Sequence, residues 1–195
     1  MTERSRGSER LEADQISQEL KRTRARGTMR RTIRRVVFGM AAASATVILL
    51  SILLFPPLRI YGRSMVPTLE EGQIIIAYKA PEYHTGDVVA FNCNNKILVK
   101  RVICNSGEWF SMRADGTVLV NGMEIDEPYL HKNSFGPCDL ELPYQVPDGR
   151  IFVLGDDRAS SVDSRSQEVG CIPRTDIVGL VLIRVWPLDV FGRIE

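Results

Sequence analysis

At 195 residues and a net charge of +1, the chain has the length of one domain plus an accessory segment. It contains no internal repeat and no low-complexity tract, and its four cysteines lack a C-x-x-C spacing; this excludes repeat arrays and a thiolate zinc module. The near-neutral total hides an asymmetry. Residues 1–35 hold eleven Lys and Arg against five Asp and Glu, a balance of +6, and the remainder carries −5.

Lys21, Arg22, Arg24, Arg26, Arg30, Arg31, Arg34 and Arg35 stand together with no acid among them. Such a run can bind nucleic acid, but the next segment directs it elsewhere. From Val36 to Phe55 no residue is charged. Twenty residues at a helical rise of ~1.5 Å span roughly 30 Å, the hydrocarbon thickness of a bilayer. Pro56-Pro57 ends that helix. No small-x-small site follows, so a retained anchor is expected rather than a cleaved leader. The positive-inside rule puts the N-terminus in the cytoplasm. The expected division is a basic cytoplasmic tail over 1–35, a transmembrane anchor over 36–56 and an extracytoplasmic domain over 57–195. The tail's partner is then a bilayer with anionic headgroups, and no nucleic acid is expected. Before Arg30 only Leu11, Ile16 and Leu20 give a weak helical pattern.

The outer part reads as β. Strand-like runs are 73–78, 87–91, 97–104, 117–120, 150–154 and 177–186, and Asp115-Gly116 and Asn121-Gly122 are hairpin signals. No stretch keeps a 3.6-residue apolar period, so the expected fold is all-β, an antiparallel barrel-like domain behind one N-terminal helix.

Three stretches carry chemistry. In Gly62-Arg63-Ser64-Met65-Val66-Pro67-Thr68-Leu69, one hydroxyl lies between residues that shape a tight backbone and an apolar surface. A serine nucleophile needs a base. His84 and His131 lie in polar loops without a triad frame, and the G-x-S-x-G and S-x-x-K motifs are both absent around Ser64. Lys100 is the other candidate, inside the apolar run 96–103. Desolvation lowers a lysine pKa by up to several units, which makes a usable base. Strand alternation puts Lys96, Leu98 and Lys100 on one face and Val99 and Arg101 on the other, so one lysine can turn inward while its charged neighbours stay wet. A snorkelling edge-strand lysine is the structural alternative. The third stretch, 155–165, is dense in short polar residues, and Asp163 and Arg165 can form a charge-assisted pair that holds it. Its aspartates do not fit an EF-hand, and neither a metal nor a cofactor is expected.

Together these stretches resemble the bacterial type I signal peptidases, membrane-anchored Ser/Lys endopeptidases. Ser64 to Leu69 looks like the nucleophile box, and Gly86 to Phe91 like the structural strand box. Lys100-Arg101-Val102, ending in Gly107-Glu108, is similar to the general-base box. Gly155 to Arg158 with Ser161, Asp163-Ser164-Arg165 and Gly170 resembles the last box, and Asn121-Gly122 with Glu127-Pro128-Tyr129 is a further family habit. The resemblance implies that Ser64 attacks the scissile carbonyl and that Lys100 takes its proton. The Ser64 N–H would stabilise the oxyanion near Gly62, Ser161 would orient the lysine, and Asp163 with Arg165 would brace the site. It also implies signal peptides of exported preproteins as partners and cleavage after a small-x-small site. Met65, Leu69 and Leu98 are expected to line the substrate subsites. Three departures stand out. Gly62 replaces a serine that supplies the second oxyanion donor in some members, Asp157 stands where Asn is commoner, and Ser166 to Val169 lengthen the run before Gly170. Cys93, Cys104, Cys138 and Cys171 allow three disulfide connectivities or free thiols. A self-cleaving Ser/Lys repressor would share the dyad chemistry but lack the apolar span, and an inactive binding module would have no need of both Ser64 and Lys100.

Overall fold

Pro56 and Pro57 divide two kinds of structure in the computed structural model, which describes residues 33–194. Before them runs a 22-residue apolar helix, α1, Ile33–Leu54, long and apolar enough to cross a membrane. Its side chains are exposed along its whole length. The basic residues from Lys21 to Arg31 and the pattern at Leu11, Ile16 and Leu20 lie outside the described residues.

After the prolines the chain is antiparallel β. The strands are β1 Pro57–Arg59, β2 Ile74–Tyr78, β3 Val88–Cys93, β4 Lys96–Cys104, β5 Trp109–Met112, β6 Val118–Val120, β7 Met123–Glu124, β8 Tyr144–Gln145, β9 Arg150–Leu154, β10 Ile172–Pro173, β11 Ile177–Trp186 and β12 Gly192–Arg193. The larger sheet runs β1-β2-β11-β3-β4-β9-β10, with β12 beside β11, and a smaller one runs β7-β6-β5-β8. The two ends of the larger sheet do not pair, so the barrel is not closed and the barrel-like expectation holds only loosely. Two short 3-10 turns, at 174–176 and 188–190, are the only helix among the described residues after α1.

Turn chemistry sets the registers. Asn121 and Gly122 both take positive φ, as the two-residue hairpin between β6 and β7 requires. Asn94 and Asn95 do the same between β3 and β4, a hairpin that the sequence also encoded and that the expected runs passed over. β5, β8, β10 and β12 were likewise not expected. They are two to four residues long, too short for an alternating pattern to show.

β4 positions the site. Val102 joins Val89, Phe91 and Val153 in a core where all four are fully buried. Each such side chain contributes roughly 1.5–3 kcal/mol. That is enough to hold the strand in place even though Lys100, two residues earlier on the same face, is buried as well. β9 pairs with β4 only from Arg101 onward, which leaves one edge of 96–100 unpaired among the described residues. β1 pairs only with β2, so its outer edge is open too.

Candidate active site

Ser64 sits in the turn that follows β1. Gly62 takes φ +81°, a conformation that suits glycine, and the chain then folds back with Val66 N–H donating to the Arg63 carbonyl at 3.0 Å and Leu69 N–H to the Met65 carbonyl at 2.8 Å. Met65 and Leu69 are buried against Ile60, Ile75 and Val181, which fixes the turn to the sheet. Ser64 itself stays half-exposed. Its N–H has no acceptor among the described residues.

Lys100 is 3% exposed. Its Nζ donates to Ser161 Oγ at 3.0 Å. Burial pushes its pKa down from 10.5 to about 8, Asp163 pulls it back up, and Arg165 lowers it again. Ser64 and Lys100 both wall a cleft of two lobes. The larger, about 790 Å³, lies between the open edges of β1 and of residues 96–100. The smaller, about 460 Å³, is bounded by Arg63, Leu98, Val162 and Val169.

The 155–165 loop joins these parts. Asp157 N–H donates to the Ser64 carbonyl at 3.0 Å, and Ser161 N–H to the Asp157 carbonyl at 3.0 Å. At Gly155 the packing leaves no room for a side chain: a Cβ there would lie 2.2 Å from Ser161 Oγ and 2.5 Å from the Ser64 carbonyl oxygen. Asp163 accepts from Arg165 Nε and Arg165 N–H groups at 2.9 Å, and its Oδ2 accepts the Gly155 N–H at 3.0 Å. Asp157, where Asn is commoner in the resembled family, accepts from Ser160 Oγ at 2.5 Å and leaves the loop well tied.

Arg101 differs from expectation. It is 1% exposed rather than wet, because Asp156 takes its Nε and an N–H of its guanidinium at 3.0 and 2.8 Å. Thr68 Oγ1 donates to the same carboxylate at 2.5 Å, and the Tyr129 ring covers the guanidinium at 3.7 Å. A second buried pair joins Arg158 to Glu127, which also accepts the Tyr129 hydroxyl at 2.7 Å. These pairs stitch the serine turn, the lysine strand and the loop together. The sequence held Arg101, Asp156, Arg158 and Glu127 inside recognised boxes but offered no pairing between positions 31 to 55 apart.

Of the expected subsite residues, Met65 and Leu98 line the larger lobe. Leu69 does not. It is fully buried in the core beneath, because the turn at 65–69 rotates it inward. His84 is a surface residue 3.7 Å from Asp87, His131 lines a separate cavity, and neither borders the cleft. All four cysteines are free thiols. No group of three or more His, Cys, Asp or Glu among the described residues is placed to hold a metal ion.

A half-exposed serine and a buried lysine of lowered pKa that line one cleft are equipped for acyl transfer through a serine nucleophile. The family model described as signal peptidase, peptidase S26, matches residues 30–186. The signal peptidase IB of Staphylococcus aureus (strain COL) is 34% identical over 183 residues, covering 84% of this chain and 94% of that protein. The signal peptidase I T of Bacillus subtilis (strain 168) is 35% identical over 167 residues, covering 78% and 86%. A crystal structure of a signal peptidase I from Enterococcus faecalis V583 is 28% identical and aligns with a TM-score of 0.44 over 51% of this chain and 96% of that one. The chain belongs to the signal peptidase family, peptidase S26, and is a signal peptidase enzyme.

Proposed function

We propose that the protein is a membrane-anchored serine endopeptidase that removes N-terminal signal peptides from exported preproteins after a small-x-small site, with Ser64 as nucleophile and Lys100 as general base. Residues 1–35 form a cytoplasmic tail facing anionic headgroups, 36–56 anchor the chain, and 57–195 work outside the membrane. The observation that carries this reading is Lys100: buried, bonded to Ser161 and with a pKa near 8, it is neutral often enough near physiological pH to accept a proton.

Ser64 Oγ attacks the scissile carbonyl carbon as its proton passes to Lys100 Nζ. The carbonyl oxygen becomes an oxyanion, to which the free Ser64 N–H is available as donor. Collapse breaks the C–N bond, and the leaving amine takes the proton from the Lys100 ammonium. An acyl-enzyme on Ser64 remains. Water then gives a proton to Lys100 as it attacks the ester carbonyl, and the second collapse returns the serine. Ser161 holds the lysine nitrogen throughout, and Asp163 with Arg165 holds the loop that carries Ser161.

The larger lobe accounts for the substrate. An extended segment can pair with the open edges of β1 and 96–100, and such pairing presents alternate side chains, those at −1 and −3, to the same wall. Met65 and Leu98 lie on that wall and keep it apolar. The test is a substitution series at −1 in one membrane-inserted precursor. Cleavage after Ala-x-Ala is expected, with strong loss for Leu or Phe at −1. Equal cutting of Ala and Phe would refute the small-pocket reading.

A further inference from the structure

Ser166 to Val169 have no task in the reaction above, yet they are firmly built. The N–H groups of Val169 and Gly170 donate to the Ser166 carbonyl at 3.2 and 2.9 Å, and Gln167 N–H donates to Asp139 Oδ2 at 3.2 Å. Asn94 Nδ2 ties the turn to the β3–β4 hairpin through the Glu168 carbonyl at 3.3 Å. Val169 packs on the core between the two. The turn, through Glu168 and Val169, therefore lines the smaller lobe together with Ser64 and Lys100.

The rim of this lobe is charged. Arg63 and Lys96 are exposed, and among the described residues no carboxylate pairs with either. Glu168, exposed at the turn, lines the same lobe, and among the described residues no cation pairs with its carboxylate. Leu98 and Val162 add apolar lining to the lobe. Ser64 and Lys100 line both lobes, so the smaller one offers an exit for a peptide whose acyl side fills the larger, with Arg63 on the smaller lobe alone and Lys96 where the two meet.

We propose, building on that reading of the cleft, that the smaller lobe is the subsite for the first residues after the scissile bond and that Arg63 and Lys96 select an acidic side chain there. The Glu168 turn closes the lobe and opposes an acid, so its charge sets how strong the selection is. Exposed charge pairs of this kind change binding by up to about fivefold each.

Two precursors identical except for Glu or Lys at +2 test this, each cleaved by the full-length enzyme in detergent and compared by kcat/KM. The Glu precursor should be cut about three to ten times faster at low salt, with the ratio falling toward one in about 0.5 M NaCl as the charges are screened. The double variant R63E/K96E should invert the ratio, and Glu168→Lys should raise it. Because each ratio is taken on one enzyme, a general loss of activity in a variant does not alter it. Equal rates on the two precursors, or a ratio that R63E/K96E leaves unchanged, would overturn the subsite while leaving the peptidase reading intact. Failure to cut either precursor, or one with Ala at +2, would overturn both.

Discussion

The Lys100 amine donates to Ser161 Oγ at 3.0 Å inside a site where every buried side-chain nitrogen and oxygen among the described residues has a partner. The hydroxyl is thus a fixed point for the lysine amine, which lines the same cleft as Ser64. Ser161→Ala should lower kcat at least tenfold with KM little changed, and Ser161→Thr, which keeps the oxygen, should recover much of the loss. Steady-state kinetics of the three proteins on one precursor checks this.

On the proposed mechanism Lys100 has to be neutral to take the serine proton, so the rate should rise with pH along a limb centred at about 8 and level off above it. Lys100→Arg should not rescue, since a guanidinium stays protonated throughout the range. A pH–rate profile under single-turnover conditions reads both.

The same lysine makes a stability prediction of opposite character. Its folded pKa of about 8 lies below the ordinary 10.5, so the folded state disfavours the ammonium. Below pH 8 both states are protonated and the cost is full, about 3 kcal/mol. Between 8 and 10.5 the unfolded chain binds more protons, so this contribution to stability rises with pH, and the cost is gone above that window. Lys100→Met should therefore be more stable than the parent at pH 7, with the advantage shrinking toward pH 10.5. Urea unfolding of the full chain in detergent across that range measures the difference.

Much of this was legible in the sequence because it is local. Alternation from Lys96 to Arg101 marked β4, and the two-residue spacing of Asp163 and Arg165 allowed their pair to be foreseen. What stayed hidden depends on distant partners. Arg101 is buried only because Asp156, 55 residues on, supplies two acceptor oxygens, and Tyr129 covers it from a third segment. Leu69 reads as a surface apolar residue until the turn from Met65 rotates it into the core.

Gly155 shows how tightly the loop and the serine turn are fitted. Gly155→Ala would drive a methyl group against Ser161 Oγ and the Ser64 carbonyl, and relief requires one of the two to move. Overpacking of this kind costs about 1–3 kcal/mol of stability. Activity should fall by more than that loss suggests, because the displaced atoms are the ones that align the cleft. Thermal unfolding set beside kcat/KM separates the two effects.

The central claim is that Ser64 and Lys100 act as a pair. Its most direct measurement is cleavage of a secretory precursor bearing Ala-x-Ala by the purified full-length enzyme, beside Ser64→Ala and Lys100→Ala, with thermal unfolding of all three. Both variants should fold, and each alone should lose essentially all cleavage, with the double variant no worse than either. Sustained cleavage by either single variant with normal unfolding would contradict the account.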